Sequence, residues 1–377
     1  MDPSILHIVP SSSTNALLMG MLKGVDSQFA VAAFDTSNGC ERSDLARDCL
    51  AEGLTFVDLG RTNTTTEMTK STKRVIRSLR PDVVEVHTFE PCLSAALLTM
   101  SMKNRPKVLG VRHHNLNHYL QLSTGSTRPG SRRGQLGDRF INSKLDGVVS
   151  VSMAVRDTCV AEGLKPAKSY VASNGLDLSA FLVDDSTNTG IGRSAQYLIV
   201  AVGRLDWQKD YPTMFRCLAE LVDRQIDVEL AVLGTGTPTE TNYLTQECSR
   251  LGVDDRVRWL GWRSDVANCL RSADVFIHSA ADEAFGLVLI EAMASGLPLV
   301  ATGAGGAREE VQPYYETVPI RDAPALANHV QQALEHLPER RDIANRLRPS
   351  VVERFDPQRM AEAHLEACYS VLKSDAG

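Results

Sequence analysis

Short apolar runs alternate along the chain with stretches whose apolar positions recur at helical spacing. The runs Ile5–Val9, Phe29–Phe34, Val83–His87, Val108–Arg112 and Gly147–Val151 predict strands in the first half. Tyr197–Val202, Glu229–Leu233, Arg256–Leu260, Val275–His278 and Leu299–Ala301 predict strands in the second. Helices are expected between them, over Thr65–Leu79, Leu93–Met102, Ala154–Glu162, Tyr211–Arg224, Tyr243–Leu251, Val266–Arg271 and Phe285–Ala294. This alternation is the pattern of α/β proteins, in which helices cover both faces of parallel sheets. It pauses once, in the polar, glycine-bearing stretch Asp184–Ser194. We place the linker there, with one α/β domain over residues 1–183 and another over 184–356. A last amphipathic segment, Pro357–Leu372, fits either domain.

Length and charge narrow the classes. A chain of 377 residues exceeds one ordinary core, which agrees with two domains. Net charge is −6, so the basic footprint of a nucleic-acid binder is missing. The first ten residues lack a basic region followed by a long apolar one, and no stretch reaches membrane-spanning length. The eight cysteines are scattered without paired spacing, as expected of buried thiols in a reducing compartment. A cytoplasmic protein is expected. The locally basic segment 128–144 reads as a solvated loop, or as a contact for anionic lipid or an acceptor phosphate at the inner membrane face.

Candidate chemistry gathers at predicted strand ends, where open parallel sheets bind ligands. Glu283 and Glu291 stand eight positions apart, the second inside an otherwise apolar run. A carboxylate there is costly unless something pairs with it, and a hydroxyl-rich ligand would do so. The competing readings are a carboxylate at a helix start for Glu283 and an internal salt bridge for Glu291. If helical, the interval between them rises roughly 12 Å, the reach of a nucleotide-sugar across its diphosphate. Phe285, Gly286 and Leu287 are expected in the first turn, where backbone N–H groups can bind an anion. Arg204 and Lys209 follow the strand ending at Val202 and could hold a diphosphate, or be ordinary solvated cations. The turn Gly303–Glu310 and Gly234-Thr235-Gly236 are weaker signals; the latter lacks the dinucleotide-binding pattern. His113 and His114 end the strand Val108–Arg112, with His118 beyond. Clustered histidines suggest a metal site, yet no cysteine or carboxylate lies nearby in sequence. An ordinary polar turn, or a hydrogen-bonding group facing the second domain across a cleft, accounts for them. His87 ends its strand similarly and reads as a core or loop histidine.

Taken together, these segments resemble the retaining glycosyltransferases of the GT-B fold, specifically glycosyltransferase family 4. The Glu-x7-Glu pair at Glu283 and Glu291 lies in a stretch like the family's Glu-Gly-Phe-Gly-Leu-x-x-x-Glu-Ala-Met-Ala-x-Gly. Gly203-Arg204-Leu205 with Lys209-Asp210 resembles its phosphate-binding loop. Ser173-Asn174-Gly175-Leu176-Asp177 with Phe181 resembles its Asn-Gly-x-Asp-x-x-x-Phe marker, and Pro81–His87 and Val149–Ser152 also fit. The resemblance implies two Rossmann-like doubly wound domains facing across a cleft, with the terminal helix returning to the first. It implies transfer of a sugar from a nucleoside diphosphate sugar, UDP- or GDP-linked, to an acceptor hydroxyl in bacterial glycoconjugate or polysaccharide biosynthesis.

By position, the resemblance assigns Arg204 and Lys209 to the donor diphosphate, Glu291 to the ribose, and Glu283 to the transferred sugar near the reacting carbon. Phe285, Gly286 and Leu287 would offer backbone donors, Trp262 and Arg263 would lie beside the base, and His113 or His114 would stand near the donor sugar. No cofactor is implied, and no Asp-x-Asp ends a strand, in keeping with metal independence. Acceptors would be saccharides, lipid-linked saccharides or small metabolites. Two departures stand out: Ser11–Thr14 replaces the glycines frequent after the first strand, and Ala284 replaces the glycine after the first motif glutamate. An epimerase of the same architecture and a non-catalytic nucleotide-sugar binder are the alternatives, while a dehydrogenase is disfavoured.

Overall fold

Seven strands form the first sheet: β1 (Ile5–Pro10), β2 (Phe29–Asp35), β3 (Thr55–Arg61), β4 (Val83–His87), β5 (Lys107–Arg112), β6 (Gly147–Ser150) and β7 (Ser169–Val171). Their order is β3-β2-β1-β4-β5-β6-β7, and every pairing is parallel. Six strands form the second: β8 (Tyr197–Val202), β9 (Val228–Leu233), β10 (Val257–Gly261), β11 (Val275–His278), β12 (Leu299–Thr302) and β13 (Thr317–Val318). They run β10-β9-β8-β11-β12-β13, again all parallel. The computed structural model describes residues 3–10, 15–22, 29–35, 40–61, 64–87, 89–113, 132–183 and 191–374. The expected sites at Ser11–Thr14, His114, His118 and Arg128–Ser131, and most of the Asp184–Ser194 stretch, lie outside the described residues.

The chain divides into one unit of residues 1–176 with 356–377 and a second of 177–355. Residues 177–183 belong to the second because their backbone is tied there. Arg271 donates to the Ala180 carbonyl at 2.9 Å, and Arg348 to that of Leu182 at 3.1 Å.

The terminal helix Pro357–Lys373 packs in the first unit. Asp356 caps it by accepting from the Gln358 N–H at 2.8 Å. Its buried positions Met360, Ala361, His364, Ala367, Cys368 and Val371 form one helical stripe. Gly175 lies against its start: the Gly175 N–H points at Met360 Sδ at 3.2 Å, and a Cβ there would collide with the Pro357 backbone. That close approach accounts for the glycine of the Asn174-Gly175 marker.

In the second unit, the helix Tyr211–Asp223 turns Tyr211, Met214, Phe215, Leu218 and Leu221 into a core that includes Ile199 on β8 and Leu230 and Val232 on β9. Three strands escaped the sequence reading. β3 is an edge strand without a continuous buried run, β7 has three residues, and β13 has two. The helix expected at Tyr243 starts at Pro238, where Thr237 and Glu240 form a reciprocal capping box.

Candidate functional site

Because the second sheet is parallel, the segments after β8 to β12 all emerge at one edge. The strand order reverses between β8 and β11, and crevices at such switch points are where α/β sheets bind ligands. β8 leads to residues 203–209 and β11 to 279–286, so these two segments flank that point.

Asp206 starts the turn Trp207–Lys209 by accepting from the Gln208 and Lys209 N–H groups at 3.2 and 3.4 Å. The 279–282 segment is fastened to this turn. Ser279 Oγ donates to the Lys209 and Asp210 carbonyls at 2.8 and 3.0 Å, and the Ala281 N–H donates to the Gln208 carbonyl at 2.8 Å. The two strand ends are thus joined by backbone contacts.

On that frame Lys209 and Glu283 form an ion pair, both side chains only 14% exposed. His278, at the end of β11, is buried with Nε2 at 3.4 Å from the Glu283 carboxylate. Burial pushes Glu283 toward its neutral form, but the Lys209 charge and the His278 contact outweigh this and hold the carboxyl well below the usual carboxylate range. Burial likewise lowers His278, whose proton Lys209 further disfavours, so the imidazole is neutral near pH 7. Arg204 is half-exposed, 3.1 Å from Asp206 and 3.2 Å from Gln208.

The helix expected from Phe285 begins at Leu287. Gly286 precedes it in the left-handed region (φ 98°), where a side chain is strained. The interval from Glu283 to Glu291 is therefore part loop and part helix, which corrects the 12 Å helical rise. Phe285 is buried and meets Phe355 edge-on at 6.0 Å between ring centroids. Its side chain therefore serves the core, leaving its backbone for any ligand.

Glu291 is partly buried on the helix Leu287–Ala294, and no cation among the described residues pairs with it. Burial alone pushes its carboxyl up to about 7. The internal salt bridge is thus not the reason for a carboxylate here. In the unfolded chain the group titrates near the ordinary glutamate value of about 4.3. Its raised folded value adds stability below that value, and this stability is lost as pH rises through about 7. Relative to Glu291→Gln, the wild-type chain is therefore expected to lose stability from about pH 5 to about pH 8. Parallel denaturation midpoints for the two proteins across that range would contradict the assignment.

The loop carrying Glu283 is held from behind by the turn after β12. The Gly306 N–H donates to the Glu283 carbonyl at 2.8 Å, and a Cβ on Gly306 would fall on the Ala284 carbonyl oxygen. These glycines, a weak signal in the sequence, support the loop. Gly306→Ala is expected to displace residues 283–286 and cut any activity of Glu283 about 100-fold, the usual consequence of a misplacement near 1 Å. A variant with unchanged kcat would show that the loop position does not matter.

Trp262 follows β10 and is 75% exposed, and Arg263 beside it is held by Asp265 at 2.7 and 2.6 Å. His113 follows β5 in the first unit, and its Nε2 lies 3.1 Å from His87 Nδ1. The structure thus joins Lys209, Glu283 and His278, with Arg204 and the Gly305-Gly306 turn beside them. His278 was missed because a histidine closing an apolar strand reads as core. Its only sequence signal is its position five residues before Glu283.

Residues 191–348 match the family described as Glycosyl transferases group 1, and residues 51–180 match Glycosyltransferase Family 4. An N-acetyl-alpha-D-glucosaminyl L-malate synthase of Bacillus anthracis is 29% identical over 245 residues, 63% of this chain and 63% of that protein. The lipopolysaccharide core biosynthesis glycosyltransferase LpsE of Rhizobium meliloti (strain 1021) is 32% identical over 196 residues, 48% of this chain and 56% of its own length. The chain thus spans about three-fifths of the length of these curated relatives. Among solved structures, Anabaena HepE in complex with UDP aligns with a TM-score of 0.80 at 20% identity, over 97% of this chain and 100% of that one. The same protein with UDP-glucose gives 0.78 at 19%, over 99% of each chain. At such identity the likeness speaks for the fold.

Proposed function

We propose, from these two family matches and the GT-B fold, that the chain is a family 4 glycosyltransferase that moves a sugar from a nucleoside diphosphate to an acceptor hydroxyl, with retention of configuration and no metal at the donor site. The observation that carries this reading is the enclosed Lys209–Glu283 pair at the switch point of the second sheet.

The barrier to transfer is departure of the diphosphate and the charge that builds on it. Lys209 has three N–H donors, so it can hold Glu283 and still offer donors to a phosphate. Arg204, half-exposed, can fork onto phosphate oxygens. The backbone N–H groups of Phe285, Gly286 and Leu287 open the helix Leu287–Ala294 and add a fixed positive field. Cations and amides placed before the reaction need no reorganisation as negative charge develops. Glu283, held ionised, would face the positive charge that grows on the sugar carbon as the bond breaks. Retention would follow from attack on the face that the phosphate leaves.

Glu291 would accept from the ribose hydroxyls, more strongly in its charged form. Donor affinity is therefore expected to strengthen as pH rises through about 7. Trp262 would stack on the base with Arg263 beside it. His113 is assigned to the donor sugar by its match to the family histidine. UDP is the first donor nucleotide to try, with GDP second. The acceptor is a saccharide, a lipid-linked saccharide or a small hydroxylated metabolite. A cytoplasmic setting, with segment 128–144 at a membrane face, suits the lipid-linked case. Among the described residues no helix is long and apolar enough to cross a membrane.

The deciding experiment is donor turnover, with UDP- and GDP-sugars, with and without candidate acceptors. Diphosphate release that depends on an acceptor supports the transferase. Conversion of the sugar without acceptor would make it an epimerase, and binding without release a non-catalytic binder.

A further inference from the structure

Four histidines, a glutamate and a cysteine converge inside the first unit, and the proposed transfer uses only His113 among them. His7 on β1 and Glu85 and His87 on β4 are 1%, 0% and 3% exposed. The pairing of β1 with β4 sets His7 level with Glu85, and His87, two residues on, shares that sheet face. One ligand atom from each of the three lies within 4.8 Å of the other two.

The distances discriminate between two accounts of this cluster. His7 Nδ1 is 3.4 Å from His87 Nε2 and 3.5 Å from Glu85 Oε2. Both exceed the usual range for good hydrogen bonds, about 2.7–3.2 Å. Both are close to the edge of a ligand tetrahedron around zinc, about 3.3 Å for bonds of about 2.0–2.1 Å. No lysine or arginine among the described residues pairs with Glu85, whose charge is buried completely.

Around these three atoms stands an outer ring of the kind that orients metal ligands. His364 on the terminal helix donates from Nδ1 to Glu85 Oε2 at 2.8 Å, and the Cys368 thiol donates to Oε1 at 3.4 Å. His87, with Nε2 toward the cluster, has Nδ1 at 3.1 Å from His113 Nε2. A cavity of about 20 Å³ borders His87, His113 and His364, room for one water.

We propose that His7, Glu85 and His87 form a binding site for one divalent transition-metal ion, with zinc the best match to two imidazoles and a carboxylate. The ion would join β1 to β4 and, through Glu85 and His364, hold the terminal helix. Through His87 it would also fix the tautomer that His113 meets. Metal binding here requires no donor, so the proposal stands or falls independently of the transferase reading.

The test uses the full chain. The purified protein is loaded with Zn²⁺ alone, passed over a chelating resin and analysed for metal, and a second sample is titrated with Co²⁺. About one equivalent of retained zinc is expected, with visible d–d bands of four-coordinate cobalt that zinc abolishes. His364→Asn is expected to weaken binding about 10–100-fold while sparing the ligands. His87→Asn should remove binding. If the buried variants fail to fold, the wild-type cobalt spectrum still decides. Metal at background with no cobalt bands would overturn the proposal, and so would full binding in a folded His87→Asn protein.

Discussion

Replacing Arg204 and Lys209 together by alanine is expected to abolish diphosphate binding, and the Lys209 change alone to destabilise the second unit by about 3–5 kcal/mol. The two effects have different origins. Binding is lost because both cations that reach the switch-point crevice are gone, and a diphosphate desolvates only against fixed positive charge. Stability is lost because Glu283 is left ionised and largely enclosed with no cation. Its other neighbour, His278, is disfavoured as a cation by burial. A further variant separates the two. Lys209→Met with Glu283→Leu removes both charges from a nearly dry site and should recover most of the stability while remaining inactive. Urea denaturation and calorimetry with UDP and GDP give both readouts. Normal diphosphate titration of the double-alanine protein would remove these residues from the donor site.

Glu283→Gln is expected to lower turnover about 100–1,000-fold without weakening diphosphate binding. The sign of the binding effect follows from charge. Glu283 competes with a phosphate for Lys209, so its neutral isostere leaves more of the Lys209 charge for the ligand. Turnover falls because the amide cannot offset positive charge on the sugar carbon, an interaction made only in the transition state. The expected signature is a large drop in kcat with an unchanged or tighter UDP Kd. Unchanged transfer would exclude Glu283 from the chemistry. Weaker UDP binding would show that Glu283 acts by shaping the loop, as Gly306 does.

The strands that carry the site were legible in sequence because they are buried on both faces. β4, β8 and β11 have the expected bounds, as short, mostly apolar runs do in a covered parallel sheet. Edge strands such as β3 mix exposed and buried positions and give no such run. The helix Leu337–Arg354 was unreadable for a related reason: Ala344 and Val351 are its only buried residues, so it has no apolar stripe. The helix Ala323–Glu335 does have one, in Leu326, Ala327, Val330 and Leu334, and this stripe went unread. The boundary at Leu287 depended on the left-handed conformation of Gly286, which the apolar pattern hides.

The order of residues by itself determined the α/β architecture, the resemblance to a glycosyltransferase family, and the pair Glu283 and Glu291, because burial period and short motifs are local properties of a chain. Only the tertiary structure decided which charges meet. Lys209 and Glu283 are 74 positions apart, and His364 and Glu85 are 279 apart. Sheet order, not sequence distance, brings each pair together. It also decided that Glu291 has no cation among the described residues while Glu283 has one, and that His87, read as a core or loop histidine, joins a cluster of ligand-type side chains. Ion pairing and coordination depend on separations of a few ångströms, which the fold sets when β1 pairs with β4 and β8 with β11.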